Sequence, residues 1–327
     1  MNRREFIALA AGAVATGPRT AGAQPAQKVY RLGSLTPGLP VADKSPLGAV
    51  LLKGLEQRGY VVGKNLIYDA RGAAGQVGKL PEIIRGMKAD NVDVIVTVGY
   101  PPALACKIEN VPTVVAYGSG DPVATRLIDG LARPGGNITG ISDNSTELST
   151  KRLALIKQAV PKLKRIAMLW NRDDLGMSQR YDVSANSARS LGATVQALGV
   201  REPDDFNGVF EAMKREPPDA ILMVSDSLTV LNRKRVFDYA AEHKIPALYE
   251  YDVMVRDGGL MSYGPDLKES FERVADLAAR IFKGAKPADL PFEQPTRYPF
   301  VVNLKTAKAS GIELPVNLVA LADEVIE

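Results

Sequence analysis

Short apolar runs alternate with amphipathic stretches along most of the chain, and the alternation occurs in two similar series. This pattern is typical of βαβ units, in which buried parallel strands alternate with helices. The first series predicts strands at Tyr30–Leu35, Leu66–Asp69, Val92–Val98, Thr113–Tyr117 and Asn137–Ile141. The second series predicts strands at Arg165–Trp170, Thr194–Ala197, Ala220–Val224, Ala247–Tyr249 and Leu260–Tyr263, and a later run predicts one at Phe300–Leu304. Helices are predicted at Leu47–Arg58, Gly78–Ala89, Glu147–Val160, Gln179–Leu191, Asp205–Arg215, Thr229–His243 and Leu267–Phe282.

The two series close on related segments. The first ends in "RPGGNITGI", residues 133–141, and the second ends in "RDGGLMSYG", residues 256–264. Each segment reads Arg-x-Gly-Gly, then a short β run containing Thr or Ser. Because the match falls at the same place in both series, the sequence predicts two lobes of similar α/β construction.

Residues 1–23 have the features of an export signal. Arg3 and Arg4 precede an apolar run from Phe6 to Thr16, and Ala21-Gly22-Ala23 is typical of a cleavage site. The arginine pair resembles a twin-arginine signal, and an ordinary secretory signal is the alternative. Since no cysteine follows the apolar run, we expect a mature protein that is soluble in the periplasm and carries no lipid anchor.

Composition argues against most kinds of catalytic and metal site. The chain has one cysteine and one histidine, so an intramolecular disulfide, a Cys-rich metal site and a Ser/His/Asp triad are all disfavoured. A net charge of +4 over 327 residues is too small to indicate a nucleic-acid partner. The first strand is not followed by a Gly-x-Gly-x-x-Gly fingerprint, which makes a Rossmann-type enzyme the weaker alternative. We therefore expect no catalytic residue, no cofactor and no metal.

Aromatic residues are concentrated where the predicted strands end. Ligands of open parallel sheets bind beyond the carboxyl ends of the strands. Six rings lie at such positions, namely Tyr100, Tyr117, Trp170, Tyr249, Tyr251 and Tyr263. Rings that close the ends of the sheets are the alternative interpretation. As a group they predict a ligand cleft with aromatic walls, in which stacking contributes about 0.5–1.5 kcal/mol per ring pair.

The segment "VGYPP", residues 98–102, ends the third predicted strand. Gly99 permits a close approach of the backbone, and Pro101 and Pro102 restrict the turn that carries Tyr100. Pro101 also suits the first turn of a following helix, whose N-terminus is a candidate site for a ligand carboxylate.

Several longer segments resemble one family. They are "YGSGDPV", "LARPGGNITGIS", "ELSTKRLALIKQAVPKLKRIAMLWN", "GGLMSYGPDL", "KGAKPADLPFEQPTRYPFVVNLKTAKASGIELP" and "ADEVIE". Together they are similar to bacterial ABC-transporter substrate-binding proteins of the tryptophan/tyrosine-binding-protein-like family. The resemblance extends over residues 29–327.

The resemblance implies a type I periplasmic-binding-protein fold, with two Rossmann-like lobes joined by three crossovers. By this analogy the crossovers lie near Thr139–Asp143, Tyr263–Asp266 and Glu293–Pro299. The N-terminal lobe then comprises residues 28–142 and 265–295, and the C-terminal lobe comprises residues 143–264 and 296–327. Closure of the lobes about these hinges is a known motion of such proteins.

The resemblance also implies which residues face the ligand. The matching positions are Thr36, Tyr100, Pro101, Tyr117, Ser119, Asp121, Asn171, Asp226, Tyr249 and Tyr251. Asp226 is placed to hold an α-amino group, but Ser227 stands where amino-acid-binding members often have Asn. Tyr100 stands where relatives often have a small residue, which indicates a narrower or more aromatic pocket.

Taken together, these features predict a monomeric solute-binding component of an ABC importer. A small aromatic carboxylate or aromatic amino acid is expected to bind between the lobes, and the closed form is expected to dock on a permease in the inner membrane. A sensor that presents the same closed form to a periplasmic receptor is the alternative. The sequence does not distinguish Arg172 from helix N-termini as the group that neutralises an acidic ligand.

Overall fold

The computed structural model describes residues 28–327, so the export signal predicted at residues 1–23 lies outside the described residues. The strands are β1 Tyr30–Thr36, β2 Leu66–Gly72, β3 Val94–Val98, β4 Thr113–Tyr117, β5 Ile138–Gly140, β6 Arg165–Asn171, β7 Thr194–Val200, β8 Ala220–Met223, β9 Ala247–Tyr249, β10 Met261–Tyr263, β11 Phe300–Asn303 and β12 Glu324–Ile326. The helices are α1 Pro46–Glu56, α2 Leu80–Ala89, α3 Tyr100–Ile108, α4 Ser145–Ala159, α5 Leu175–Ser190, α6 Asp205–Arg215, α7 Ser227–Leu231, α8 Arg233–Glu242, α9 Asp252–Arg256, α10 Leu267–Phe282, α11 Leu304–Ser310 and α12 Val316–Val319.

Two sheets organise the molecule, which confirms the predicted α/β class with two Rossmann-like lobes. The first sheet has five strands in the order β2-β1-β3-β4-β5, and every neighbouring pair is parallel. Its central strands are runs of β-branched residues buried on both faces, as in other parallel sheets covered by helices. We call this sheet with its helices the first lobe.

The second sheet has seven strands in the order β12-β11-β10-β9-β8-β6-β7. We call it, with its helices, the second lobe. It is parallel except where β10 meets β11, which run antiparallel. Phe300, which begins β11, lies opposite Tyr263, which ends β10. The chain therefore enters β11 at the end where the parallel strands finish, and it must run antiparallel.

Helix α10 packs against the first sheet although it follows most of the second sheet in the chain. It begins at the N-cap Asp266, whose carboxylate accepts bonds from the amides of Lys268 and Glu269. Its buried residues Phe271, Val274 and Ala278 recur at helical spacing and share a core with strands of the first sheet.

The chain passes between the two sheets three times, after β5, after β10 and before β11. The first and third passages touch, because the Ser142 amide donates to the Glu293 carbonyl at 2.7 Å. The residue limits given above for the two lobes stay a prediction.

One predicted helix is divided in the structure. The stretch Thr229–His243 forms two helices, α7 and α8, with the break at Asn232. The Asn232 side-chain amide donates to the Leu228 carbonyl at 2.9 Å, so it satisfies a group at the end of α7. The edge strand β12 was not predicted.

Candidate functional site

A cavity of about 690 Å³ lies between the carboxyl ends of the two sheets. Its walls come from the segments after β1, β2, β3 and β4 in the first lobe and after β6, β7, β8 and β9 in the second. Its volume is in the range of about 300–1,000 Å³ that is usual for small-molecule sites. This is the position that the parallel topology predicts for a ligand.

Half of the residues predicted to contact a ligand line this cavity. They are Thr36, Pro101, Tyr117, Asn171, Asp226 and Tyr251. Each follows or ends a strand, so the parallel order of both sheets brings them together.

The other six predicted residues are not part of the cavity lining. Tyr100 packs in a first-lobe cluster with Val115 and Phe292. The Asp121 carboxylate is exposed and accepts bonds from the amides of Val123 and Ala124. Ser119 is fully buried. Contact of these residues with a ligand stays a prediction.

Three of these six residues belong to the second lobe. Trp170 stacks on Tyr181 with ring centroids 3.6 Å apart, beside strand β7. Tyr249 is buried in the second-lobe core and meets Phe237 edge to face. Tyr263 ends β10, where its carbonyl accepts a bond from the Arg152 guanidinium. For these rings too, ligand contact stays a prediction.

Tyr117 and Tyr251 form an aromatic wall that joins the two lobes. Their ring centroids are 5.2 Å apart and their planes meet at 72°, an edge-to-face contact. Burial, and then the charge of Asp143, raises the pKa of Tyr117 to about 12. Burial also raises the pKa of Tyr251. Both hydroxyls therefore stay protonated at neutral pH, and that of Tyr251 donates to the Asp143 carboxylate at 3.1 Å.

Asp226 is the acidic group that faces the cavity from the second lobe. It caps α7, where its carboxylate accepts from the Thr229 amide at 2.9 Å and its own backbone amide donates to the Thr229 hydroxyl at 2.9 Å. The Asn171 side chain donates to its other oxygen at 2.6 Å. Burial raises the pKa of Asp226 despite these bonds. In the described part of the chain, no Lys or Arg forms an ion pair with it, so its charge is available to a cationic ligand group.

A second carboxylate, Asp174, lies beside Asp226 and was not predicted. Asp174 caps α5 by accepting from the Met177 amide at 3.2 Å, and it is only 3% exposed. Burial, and next the charge of Asp226, raises the pKa of Asp174 to about 7. Two neighbouring carboxylates make this end of the cavity acidic.

Asp174 is expected to make the ligand-free protein less stable as pH rises. Its pKa is raised from 3.8 to about 7 on folding, so stability is lost as pH increases through this interval. Asn caps helices as well as Asp. Asp174→Asn should therefore stabilise the protein more at pH 8 than at pH 5, by a difference on the order of 2 kcal/mol. Urea unfolding of both proteins at the two pH values measures it. An equal effect at both would contradict a buried, titrating Asp174.

The lobes touch beside Asp174 through backbone. A Cβ atom on Gly120, in the first lobe, would lie 2.7 Å from the Cα of Gly176 in α5. A Cβ atom on Gly176 would lie 2.9 Å from the Ser119 carbonyl oxygen. Gly120 also has φ +70°, which a residue with a side chain rarely adopts. The two glycines thus permit the close approach of the two lobes.

Four fully buried charged side chains lie beneath the cavity, and they too were not predicted. We call Asp143, Arg152, Arg180 and Glu250 the buried ion cluster, since each is at most 2% exposed. Arg152 and Arg180 each donate to the Glu250 carboxylate at 3.0 Å, and Arg180 also pairs with Asp143. Burial opposes the charge of Arg180, but Asp143 and Glu250 hold its pKa above the ordinary value.

None of the helices within residues 28–327 combines the length and apolarity required to cross a membrane. Within the same residues, no group of three His, Cys, Asp or Glu side chains is arranged to hold a metal ion.

The chain is similar in sequence to a known protein family and to a characterised protein. A family model for "ABC transporter substrate binding protein" matches residues 46–326. Tyrosine-binding protein from Clostridioides difficile strain R20291 is 26% identical over 276 residues, which cover 84% of this chain and 78% of that protein.

Two solved structures have the same fold over 91% of this chain and all of theirs. A conserved domain protein from Vibrio cholerae O1 biovar El Tor strain N16961 superposes with a TM-score of 0.83 at 26% identity. An ABC domain from Streptococcus pneumoniae, solved in complex with L-Trp, superposes with a TM-score of 0.81 at 24% identity.

Proposed function

This chain belongs to the ABC transporter substrate-binding protein family, and on that premise we propose that it binds an aromatic amino acid between its two lobes. The observation that carries the proposal is the composition of the cavity. An aromatic wall, Tyr117 and Tyr251, and an acidic group without a cationic partner among residues 28–327, Asp226, open into the same space.

The acidic groups favour an amino acid over a simple aromatic acid. Asp226 and Asp174 both line the cavity, and the two arginines of the lining, Arg201 and Arg233, are paired with Asp173 and Asp257. A ligand that carries only a carboxylate would therefore be repelled by the charge of Asp226. A ligand ammonium placed on Asp226 removes this repulsion and forms a charge-assisted hydrogen bond. The names of two relatives support the same class, since one is a tyrosine-binding protein and another was solved with L-Trp.

In the proposed complex, the ligand ring lies against Tyr117 and Tyr251 while its ammonium meets Asp226. Thr36, Pro101 and Asn171 complete the contacts from both lobes. Because the walls come from two lobes connected by three passages of chain, binding favours the closed arrangement over an open one.

The physiological setting that we propose is import across the inner membrane. The arginine pair and apolar run of residues 1–23 support export to the periplasm. There the closed, ligand-loaded form would dock on the permease of an ABC importer. Binding and release need no chemical step, so we propose no enzymatic activity.

A ligand series tests the proposal directly. The protein is unfolded and refolded to remove bound ligand, and thermal unfolding is then measured with L-tryptophan, L-tyrosine, indole-3-propionate and L-leucine. A ligand at 100 times its Kd stabilises by about 2.7 kcal/mol. We expect a shift with one or both aromatic amino acids and little with indole-3-propionate, which lacks the ammonium. A shift with indole-3-propionate alone, or with leucine alone, would refute the proposed ligand class.

Closure itself is tested at Gly176. In the open protein, Ala at this helical position is expected to be neutral or stabilising, because Ala is favoured over Gly in helices by about 0.5–1 kcal/mol. In the closed protein its Cβ would press on the Ser119 carbonyl. Gly176→Ala should therefore weaken binding of the aromatic amino acid by about tenfold, with unfolding of the ligand-free protein unchanged or at higher temperature.

The matched control for Gly176 is Gly208 in α6. A Cβ atom on Gly208 meets nothing within 4 Å, so Gly208→Ala should leave affinity unchanged. If Gly176→Ala and Gly208→Ala bind ligand equally well, the contact between the lobes plays no part in binding. Calorimetric titration measures both variants.

A further inference from the structure

The buried ion cluster is hydrogen-bonded to backbone groups at the ends of three strands, two of which, β4 and β8, surround the cavity. Asp143 accepts a bond from the Gly118 amide, after β4, at 3.1 Å. Glu250 accepts from the Ser225 amide, after β8, at 2.8 Å. Arg152 donates to the Tyr263 carbonyl, at the end of β10, at 2.7 Å. The cluster therefore holds backbone segments of both lobes in place beside the cavity.

Asp143 has a special place in this cluster because it lies on the first passage between the lobes. Its Oδ2 atom accepts the Gly118 amide of the first lobe. The same oxygen accepts the Tyr251 hydroxyl of the second lobe at 3.1 Å and pairs with Arg180. Gly118 directly follows Tyr117, so one carboxylate oxygen holds both halves of the aromatic wall.

We infer that Asp143 is a positioning residue for ligand binding, which sets the aromatic wall by holding Tyr251 through its hydroxyl and Tyr117 through the Gly118 amide. The inference rests on the proposed function, because it assumes that this wall contacts the ligand. It assigns Asp143 a role that its position outside the cavity lining would not indicate.

The Tyr251 hydroxyl is held by Asp143 together with Arg180, the cation that pairs with Asp143. The Tyr251 ring is 3% exposed and lies against Tyr117. A hydroxyl bonded to a buried carboxylate is a strong and directional contact. When this bond is lost, the hydroxyl no longer fixes the ring against Tyr117, and a stacked ligand loses part of the preorganised surface on which it binds.

The test is a double-mutant cycle on Asp143→Asn and Tyr251→Phe, with L-tryptophan and L-tyrosine as probes in calorimetric titrations. Each single variant should weaken binding by about tenfold, as expected when a hydrogen bond to a charged group is lost. If Asp143 acts through Tyr251, the double variant should bind no worse than the weaker single variant. Effects that multiply, or a Tyr251→Phe variant with wild-type affinity, would overturn the inference.

A control separates positioning from general stability. Asp219 lies at the opposite end of β8 and also accepts two backbone amides, those of Lys164 and Arg165, at 2.8 Å each. Asp219→Asn should lower the midpoint of thermal unfolding without changing affinity. An equal loss of affinity in Asp219→Asn and Asp143→Asn would overturn the inference in favour of a purely structural role.

A second readout does not depend on the ligand. In crystal structures of the ligand-free Asp143→Asn and Tyr251→Phe variants, the ring at position 251 should have moved away from Tyr117. If the ring keeps its contact with Tyr117 in both variants, the inference is overturned. If the wild-type protein binds neither probe, the proposed function fails while the ring position still decides the role of Asp143. If Asp143→Asn does not fold, Tyr251→Phe decides by the same two measurements.

Discussion

Replacing Asp226 by Asn is expected to weaken binding of the aromatic amino acid by at least about 30-fold. Loss of one partner of a desolvated charge pair costs about 2–5 kcal/mol, and about 1.4 kcal/mol corresponds to tenfold in affinity. Asn keeps the shape of the side chain and its ability to cap α7. The variant therefore removes the charge that faces the cavity while the second lobe keeps its local structure.

Calorimetric titration of wild type and Asp226→Asn with the better of L-tryptophan and L-tyrosine measures this loss. Asp219→Asn again serves as the control, because it removes a carboxylate charge at the end of the sheet remote from the cavity. A specific prediction follows for the deaminated ligand. Indole-3-propionate should bind Asp226→Asn no worse than wild type, since it has no ammonium to lose a partner. An unchanged affinity for the amino acid would exclude Asp226 as the ammonium site.

Replacing Arg180 by Met should lower the free energy of unfolding of the ligand-free protein by about 3–5 kcal/mol. Arg180 is fully buried and bonds to both Asp143 and Glu250. Removal of one member of a buried ion network leaves uncompensated charge, and this cost exceeds what the intact network contributes. With the guanidinium gone, two carboxyl groups lie in a low-dielectric interior with only Arg152 as a neighbouring cation of the cluster.

Urea unfolding of Arg180→Met measures the effect, and Arg85→Met is its control. Arg85 pairs with Glu109 at 2.9 Å, but its side chain is 61% exposed. Exposed ion pairs contribute about 0–1 kcal/mol, so Arg85→Met should change stability little. If the two variants lose similar free energies of unfolding, the buried ion cluster does not stabilise the fold as expected.

Much of the fold follows from local pattern. Strands β4 and β9 have the limits that were predicted, since each is an apolar run preceded by a proline, Pro112 or Pro246. Helices α6 and α10 also have their predicted limits, because their apolar residues recur at helical spacing between clear ends. The break at Asn232 depends on one side-chain hydrogen bond, which the periodicity of the segment does not reveal.

The site was predictable where it follows from topology. Parallel strands end on one edge, so Tyr117, Asn171 and Asp226, which were predicted at strand ends, all line the cavity. Their contact with a ligand stays a prediction. Topology does not say which way a ring at a strand end turns. Trp170 turns to stack on Tyr181 of α5, a helix that was predicted to begin at Gln179 and begins at Leu175. Tyr100 turns into the first-lobe core.

The buried ion cluster was missed because its members are far apart in the chain and belong to residue types that are usually exposed. Arg180 did carry a signal. It lies at helical spacing from Met177, Ser184 and Ala188, all on the buried face of α5. An arginine on such a face requires buried carboxylates, but the sequence alone does not indicate that Asp143 and Glu250 supply them.

Helix α10 has a consequence for the order in which this chain can fold during synthesis. Phe271 and Val274 complete the core of the first sheet, yet they are added only after β6–β10 have been made. A nascent chain that ends after β5 lacks the helix that covers this face of the first sheet. The apolar residues of that face therefore stay exposed to water. Contacts of such long sequence separation form slowly. The first lobe is therefore completed only after most of the second has been made, and because β11 and β12 of the second sheet follow α10, the two lobes are completed nearly together although the first begins the chain.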